Sequence, residues 1–516
     1  MKRLLSFLLL GVAANGFLAS SSLAADQSSK QPNIIFILAD DLGWSDTTLY
    51  GTTKLYQTPN IERLAKRGMT FSRAYSDSPL CSPTRASILT GQIPLRHGST
   101  RPEHHTKAIR MMPTYKKNTP PGDKVISVDT VTRLDNKLPT LGKLIKSAGY
   151  TTGHFGKWHL GPKPYSPLEH GFDVDIPNHP GPGPAGGYVA PWRYKNFKAN
   201  SPKEQIEDRM AEEAVAWMKS VKDKGPFFMN YWMFSVHGPW DAKQELVDKY
   251  EKMIKPGDRQ QSAIYAAMIE SMDDAVGSLL DAVDEAGIAD ETVIIFTSDN
   301  GGNMYSKLDG IFPTDNYPLR GGKASMCEGG IRVPCVISWP GLTQAETRSK
   351  ELVQTSDFYP TILNQFGIEI PADHKVDGMD ISPALAGKKL NRKGLINYFP
   401  FPAMVPDWVP SSISLHSGDW KLLRLFHQGE NGAHAYNLYN LAEDIGEMND
   451  LADKYPERVK EMDRIIEAVI QDTGGLVPKP NPNFDPAQYR PEQIGKPTEE
   501  FMKKHWKTSK NKKPKK

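Results

Sequence analysis

Three nearly continuous runs of apolar residues and one shorter strand-like stretch, each followed closely by charged or amide side chains, constrain the fold of this chain more than any other feature. The apolar runs are residues 33–39, 227–236 and 292–298, and the shorter, more polar stretch is residues 150–155. A strand with one face in water alternates apolar and polar residues, whereas a strand covered on both faces is apolar throughout. The runs therefore predict buried strands of a parallel sheet.

Helical patterns separate these runs. Residues 139–148, 206–221 and 262–286 place apolar side chains three or four positions apart, which predicts amphipathic helices. Strands that alternate with helices predict an α/β fold with a large, mostly parallel sheet flanked by helices. In such sheets ligands bind beyond the carboxyl ends of the strands, so the polar residues that follow the runs should meet there.

Oxygen-bearing side chains follow two of the runs and predict a divalent metal site. The first run ends in two aspartates and the last in an aspartate and an asparagine: Asp40, Asp41, Asp299 and Asn300. Adjacent carboxylates repel each other unless a cation lies between them. Oxygen ligands of this kind suit Ca²⁺ or Mg²⁺ better than zinc.

Residues 78–91 place a cysteine at the predicted start of a short helix. Pro83 fits the first helical turn, and Gly91 is placed to end the helix. Cys81 would then lie just ahead of a helix N-terminus, whose free amides favour an anion, and Arg85 adds a cation one turn later. From spacing alone, a buried cysteine beside a structural arginine is an equally good interpretation.

Further cationic or imidazole side chains lie near the strand ends or in a glycine-loosened turn: Lys157, His159, His237 and Lys323. With Arg85 they could surround a tetrahedral anion bound to the metal. Taken singly, each would more often be an ordinary surface group, but their common position at one edge of the sheet predicts a site.

The pattern Cys81-Ser82-Pro83-Thr84-Arg85 resembles the Cys-x-Pro-x-Arg signature of the type I sulfatases, a branch of the alkaline phosphatase superfamily. The resemblance covers most of residues 33–339 and continues at 420–422 and 439–444. It implies an alkaline phosphatase-like fold and oxidation of Cys81 to formylglycine by a maturation enzyme. The hydrated aldehyde of formylglycine would be the nucleophile.

Matched residue by residue, the resemblance also implies the metal ligands. They are position 81 and the four oxygen-bearing side chains named above, with one calcium per chain as the usual occupant. Arg85 would steady the formylglycine, and Lys157 and His159 would contact the nucleophile and the sulfate.

The same resemblance implies the groups for proton transfer. His237 and Lys323 match the pair near the bridging ester oxygen, and His237 would protonate the departing alcohol. His159 or Asp299 is a candidate base for the release of sulfate.

The ends of the chain suggest export and a division into domains. Residues 1–24 have the charge, apolar core and small residues of a secretory signal peptide, which predicts a periplasmic or secreted protein. We expect a catalytic domain over 31–397, a C-terminal α+β subdomain with an antiparallel sheet over 398–478, and an extended, lysine-rich tail over 479–516. The irregular insert 101–137 is expected to form part of the pocket wall. No later stretch predicts a membrane span.

Charge and cysteine content exclude other classes. The formal net charge of +3 gives no field that favours nucleic acid. Three cysteines are too few for a disulfide framework. Cys327 and Cys335 could form a disulfide, but burial of both as thiols is the expectation.

The sequence therefore predicts an exported sulfatase that acts on sulfated carbohydrates, with a sulfated galactose or N-acetylgalactosamine as the expected sugar. Two alternatives stay open. One is a phosphatase or phosphonate hydrolase of the same superfamily, and the other is a non-catalytic binder of sulfated glycans that keeps Cys81 as a thiol.

Overall fold

The structure is a computed structural model that describes residues 31–401, 407, 409–494 and 496–507. The predicted signal peptide and the last nine residues of the lysine-rich tail lie outside the described residues.

A nine-stranded sheet forms the centre of the larger part of the chain. In chain order its strands are β1 Asn33–Ala39, β2 Met69–Tyr75, β3 Thr151–Gly156, β4 Val174–Ile176, β5 Phe227–Trp232, β6 Thr292–Ser298, β7 Arg332–Ser338, β8 Thr347–Ser349 and β9 Val353–Gln354. Their order across the sheet is β8-β2-β7-β6-β1-β5-β3-β4, and β9 also pairs with β2. Only β7 runs antiparallel to its neighbours among these pairs, so the predicted α/β fold with a mostly parallel sheet is confirmed.

Twelve α-helices are present in the described residues. They are α1 Pro59–Arg67, α2 Cys81–Thr90, α3 Pro94–His97, α4 Leu141–Ser147, α5 Ile206–Val221, α6 Gln244–Glu251, α7 Ala263–Glu285, α8 Glu328–Ile331, α9 Phe358–Gln365, α10 Ser382–Leu385, α11 Pro456–Thr473 and α12 Glu499–His505.

Alternate residues of the apolar strands face two separate cores, as their period of two requires. Ile35 and Ile37 of β1 pack in a cluster with apolar residues of α5 and α7. Ile34 and Phe36 face the opposite side and pack with residues of α2, α4 and α9. Helices thus cover both faces of β1, which explains why its sequence is apolar throughout.

The C-terminal subdomain contains a four-stranded antiparallel sheet, as predicted. Its strands are β10 Leu395–Phe399, β11 Ser412–Ser417, β12 Trp420–Leu425 and β13 Ala435–Asn440. Val459, Met462 and Ile466 of α11 pack against this sheet. The first strand begins before residue 398, so the sheet starts slightly earlier in the chain than the predicted subdomain.

A buried charge cluster joins the two parts of the chain. Glu328, at the start of α8, accepts hydrogen bonds from His416 Nε2 at 2.8 Å, Lys421 Nζ at 3.2 Å and the Tyr75 hydroxyl at 2.8 Å. Lys421 also lies 2.7 Å from Glu447. Glu328, His416 and Lys421 are fully buried. Tyr75 belongs to the large sheet, whereas His416 and Lys421 belong to the C-terminal sheet.

The described part of the predicted tail folds back onto the body of the protein. Lys479–Pro480 pairs with Val125–Ile126 of the insert, and Trp506–Lys507 pairs with Lys307–Leu308. The insert also forms a short ladder of its own between Thr114–Tyr115 and Val128–Asp129. The tail and the insert therefore contribute to one surface.

Two further sequence expectations concern cysteines and membranes. All three cysteines are free and buried, so Cys327 and Cys335 are not bridged. Within the described ranges, no helix has both the length and the apolar character needed to cross a bilayer.

Candidate active site

The predicted site residues meet at the carboxyl ends of four adjacent strands, β6, β1, β5 and β3. Asp299 follows β6, Asp40 follows β1, His237 lies a short loop beyond β5, and Lys157 follows β3. Because parallel strands end at the same edge of a sheet, residues far apart in the chain come together there.

The oxygen-bearing residues are connected to one another by hydrogen bonds. Asn300 Nδ2 donates to Asp41 Oδ1 at 2.8 Å, and the Asp41 backbone N–H donates to Asp299 Oδ1 at 3.2 Å. Asp40, Asp41, Asp299 and Asn300 are all fully buried. These bonds fix the carboxylates around a common centre.

Cys81 is the first residue of α2, close to the position predicted for it. The helix is buried along its whole length and ends at Gly91, whose φ of 68° is the left-handed value that glycine adopts without strain. The Cys81 side chain thus lies at the N-terminal end of a buried helix, where the helix dipole favours negative charge.

Arg85 lies one turn into α2 and holds two of the strand ends in place. Its Nε donates to Asp299 Oδ2 at 2.8 Å, and its Nη1 donates to the Lys157 carbonyl at 2.6 Å. The guanidinium also lies 5.3 Å from the ring centroid of Trp232. Arg85 is completely buried, so these contacts fix it rigidly beside Cys81.

Two lysine ammonium groups neutralise the two adjacent aspartates. Lys157 Nζ lies 2.5 Å from Asp40 Oδ2, and Lys323 Nζ lies 2.7 Å from Asp41 Oδ1. Burial acts to raise the pKa of Asp41, but Lys323, His237 and Lys157 together lower it to about 2. Asp41 is therefore ionised at neutral pH.

His159 faces the side chain at position 81. Its Nδ1 lies 3.4 Å from Cys81 Sγ, and its Nε2 lies 2.9 Å from Nδ1 of His105. Burial, with Lys157 and His105, lowers the pKa of His159 well below its ordinary value. The ring is therefore neutral at pH 7.

Sequence reasoning missed His105. It lies in the insert 101–137, which was expected to form part of the pocket wall, but no periodicity in that insert indicates which side chain reaches the site. Two neighbouring histidines, His104 and His105, were the only available signal.

His237 lies on the other side of the oxygen cluster. Its Nε2 lies 3.8 Å from Asp41 Oδ2, and its Nδ1 lies 2.5 Å from the Gly238 carbonyl. Burial, Lys323 and Lys157 lower the pKa of His237 well below its ordinary value, while Asp41 opposes them. The acid role implied by the resemblance requires a protonated His237, and this form is disfavoured until negative charge enters the site.

Glu207 of α5 is a second residue that sequence reasoning missed. One of its oxygens accepts hydrogen bonds from the backbone N–H groups of Phe234 and Ser235, at 3.1 Å and 2.9 Å. These residues lead into His237, so Glu207 positions the loop that carries it. In the sequence Glu207 is only one acid near the start of an amphipathic helix.

The residues present fit a divalent cation. Ligand atoms of Asp40, Cys81 and Asp299 all lie within 4.8 Å of one another. Asp40 Oδ1 and Asn300 Oδ1 are buried without a hydrogen-bond donor in the described part of the chain. Buried oxygens of this kind are costly unless a cation or donor satisfies them. A calcium ion would satisfy both.

Comparison with known families and proteins agrees with this geometry. The family model described as sulfatase matches residues 32–368. A second, described as the C-terminal part of N-sulphoglucosamine sulphohydrolase, matches residues 322–472. Together the matches include every predicted site residue and the C-terminal sheet.

Individual proteins support the same assignment. The N-acetylgalactosamine-6-sulfatase of Canis lupus familiaris is 30% identical over 398 residues, covering 74% of this chain and 71% of that protein. The Homo sapiens enzyme of the same name is 29% identical over 493 residues, covering 88% of each chain. The crystal structure of Ps i-CgsB in complex with k-i-k-neocarrahexaose is 28% identical and superposes with a TM-score of 0.69, covering 86% of this chain and 94% of that one.

The family match extends over more than half of the chain and includes the strand ends that carry the buried charges. The protein therefore belongs to the sulfatase family of the alkaline phosphatase-like superfamily and is a sulfuric ester hydrolase.

Proposed function

We propose that this sulfatase removes sulfate from galactose or N-acetylgalactosamine units of a sulfated carbohydrate, with formylglycine at position 81 and one bound calcium. The observation that carries the proposal is the ring of buried cations around Cys81. Arg85, Lys157 and Lys323 all belong to this ring, and such cations withdraw the negative charge that would repel an incoming nucleophile. The names of the curated relatives support the choice of sugar.

Two groups implied by the family would complete the site. Formylglycine at position 81 would supply a hydrated aldehyde whose hydroxyl is the nucleophile. Calcium would be held by Asp40, Asp41, Asp299, Asn300 and residue 81, and would supply Lewis-acid activation of the sulfate.

The chain's own side chains supply binding and proton transfer. Arg85 fixes Asp299 and the backbone of Lys157, so the geometry of the oxygen cluster is maintained before substrate binds. His159 Nδ1, neutral and directed at position 81, accepts a proton from the group at that position. His237, next to Asp41, donates a proton to the departing alcohol oxygen once the negative charge of the sulfate opposes the nearby lysines.

The alternatives in the sequence analysis are less well supported. A two-metal phosphatase needs a second group of ligands, yet the described residues contain one group of three or more His, Cys, Asp or Glu side chains with metal-binding spacing. The positions beside it are held by Lys157 and Lys323. A non-catalytic binder would not require buried His159 directed at position 81.

Export is also proposed, on the basis of the signal-like residues 1–24. Detection, in a periplasmic or secreted fraction, of a chain whose N-terminus lies just after Ala24 would support it. Retention of residues 1–24 in cytoplasmic protein would contradict it.

The decisive experiment measures sulfate release from a defined panel. The protein would be produced together with a formylglycine-generating enzyme and assayed on the 4- and 6-sulfates of N-acetylgalactosamine and galactose. The matching phosphate esters would be assayed in parallel. We expect release from at least one sulfated sugar at a rate far above that of its phosphate counterpart. Faster hydrolysis of the phosphate esters would instead favour the phosphatase alternative.

A further inference from the structure

A basic groove lies between the C-terminal segment and the insert. Its volume is about 420 Å³. One wall is formed by residues of the insert between 116 and 125, the other by residues within 488–494 and 496–498, and Ser411 and Gln428 of the C-terminal subdomain also line it. The family matches end at residue 472, so one wall lies beyond them.

The segment that leads into the second wall is held to the insert by backbone and side-chain hydrogen bonds. Asn481 is the main link, because its backbone N–H donates to the Lys124 carbonyl at 3.0 Å. Its Nδ2 donates to the carbonyls of Pro120 and Asp123, at 3.1 Å and 2.9 Å. The Asp485 backbone N–H donates to the Pro121 carbonyl at 2.8 Å. These hydrogen bonds hold the C-terminal segment against the insert, so the groove between them has a defined shape.

Four cations and one acid line the groove. The cations are Lys116, Lys124, Arg490 and Lys496, and the acid is Asp123. Lys116 and Lys496 are exposed, and the charge of Lys116 acts on the carboxylate of Asp123. Lys124 Nζ donates a hydrogen bond to the Gln428 carbonyl at 2.9 Å and lies 4.8 Å from the ring centroid of Tyr489. A concave surface with this excess of positive charge favours an anionic ligand.

Both walls continue along the chain into elements that contact the active site. The insert carries His105, whose Nδ1 lies 2.9 Å from His159. On the other side, Thr498 lines the groove and caps α12, and Phe501 and His505 of that helix pack on Tyr305 with ring centroids 5.5 Å away. Tyr305 is partly buried and interacts electrostatically with Lys323, so α12 forms part of the surroundings of the catalytic cations.

We propose that this groove binds a second sulfate group of the substrate, carried by a sugar other than the one that is desulfated. This inference rests on the proposed function, and it specifies the substrate as a multiply sulfated oligosaccharide. Sulfate oxygens match the donors of lysine and arginine, and exposed cations attract them in a salt-dependent way. An uncharged extension of the sugar chain would gain no charge–charge attraction from these four side chains.

The test compares two variants of the whole protein that remove the same charge. The groove variant combines Lys116→Gln, Lys124→Gln, Arg490→Gln and Lys496→Gln. The control variant combines Lys66→Gln, Lys350→Gln, Lys388→Gln and Lys389→Gln, four exposed residues that do not line the groove. Both would be assayed on a multiply sulfated oligosaccharide, on its monosulfated monosaccharide and on nitrophenyl sulfate, at low and high salt.

For the groove variant we expect KM on the oligosaccharide to rise about tenfold at low salt, with kcat unchanged, since several weak exposed contacts are lost together. High salt should remove most of that difference. The two small substrates, and the control variant on all three, should keep wild-type values. Equal KM values for the groove and control variants on the oligosaccharide would overturn the proposal.

Two other results would also overturn it and can be told apart. If wild-type protein with confirmed formylglycine releases no sulfate from any of the substrates, the proposed function itself is wrong. If the groove instead binds double-stranded DNA as tightly as the oligosaccharide, and the groove variant loses both, the surface is a general polyanion site rather than a substrate subsite.

Discussion

Nδ1 of His159 lies 3.4 Å from Sγ of Cys81, although the two residues follow different strands of the sheet. Burial raises the pKa of the Cys81 thiol, and the nearby Asp40 and Asp299 act in the same direction against Lys157 and Lys323. An unmodified Cys81 is therefore a neutral thiol at pH 7 and a weak nucleophile. The imidazole is better suited to an oxygen group at that position.

We accordingly predict that active protein carries formylglycine at position 81. Mass spectrometry of the peptide that contains residue 81 should show the aldehyde or its hydrate. Cys81→Ser should fold normally and lose nearly all turnover, whereas Cys335→Ala, which alters another buried thiol, should retain it. A free thiol at position 81 in fully active protein would refute the prediction.

A second prediction concerns the metal. Asp40 Oδ1 and Asn300 Oδ1 are buried oxygens that need a cation, so purified protein should contain about one calcium per chain. A chelator should abolish sulfate release, and added Ca²⁺ should restore it. Elemental analysis that instead finds two zinc ions per chain would support the phosphatase alternative.

The third prediction separates leaving-group chemistry from sulfate binding. A sugar hydroxyl must be protonated as the S–O bond breaks, whereas nitrophenolate leaves without help. His237→Ala should therefore lower kcat roughly 10²- to 10⁴-fold on a sugar sulfate and far less on nitrophenyl sulfate. Equal losses on the two substrates would mean that His237 only binds sulfate, and would move the acid role to Lys323.

The fourth prediction concerns pH and stability. Burial raises the pKa of Glu207 to about 7, although hydrogen bonds from Ser235 and Phe234 oppose it. Because the folded pKa is higher than the unfolded one, the stabilisation from protonation is complete below about pH 4.5 and is lost as pH rises through about 7. Glu207→Gln cannot titrate, so its Tm should fall less than that of wild type between pH 6 and 8.

Scanning calorimetry at several pH values would measure this difference. Glu212→Gln, at an exposed position on the same helix, should follow the wild-type curve. Parallel Tm curves for Glu207→Gln and wild type would show that Glu207 is ionised throughout the range.

The sequence was sufficient to predict the strands whose two faces are both covered, and with them the site. β1, β5 and β6 are long enough for an unbroken apolar run to be distinctive, and the parallel arrangement places their carboxyl ends together. The antiparallel direction of β7 was not predicted, because the mostly apolar composition of residues 332–338 does not indicate which way the strand runs.

What the sequence could not reveal depends on long-range packing. β4 and β8 have only three residues each, too few to show a period. The position of His105 depends on how the irregular insert folds over the sheet. The fold-back of residues 479–507 likewise depends on pairing with strands more than 190 residues away, for which a lysine-rich composition gives no indication.

The burial of Glu328 limits how this enzyme can be rebuilt from parts. Its partners come from both halves of the chain, since Tyr75 and Arg332 belong to the large sheet and His416 and Lys421 to the C-terminal sheet. Removing the C-terminal subdomain would therefore take away two of the four partners and leave a buried carboxylate less well compensated. Glu328 lies five residues from Lys323, so destabilisation at Glu328 would disturb the segment that holds Lys323 in the active site. A chimaera joined to a relative near residue 397 would therefore need one parent to supply the whole set of Tyr75, Glu328, His416 and Lys421. Domain exchange without that set would lower the catalytic activity.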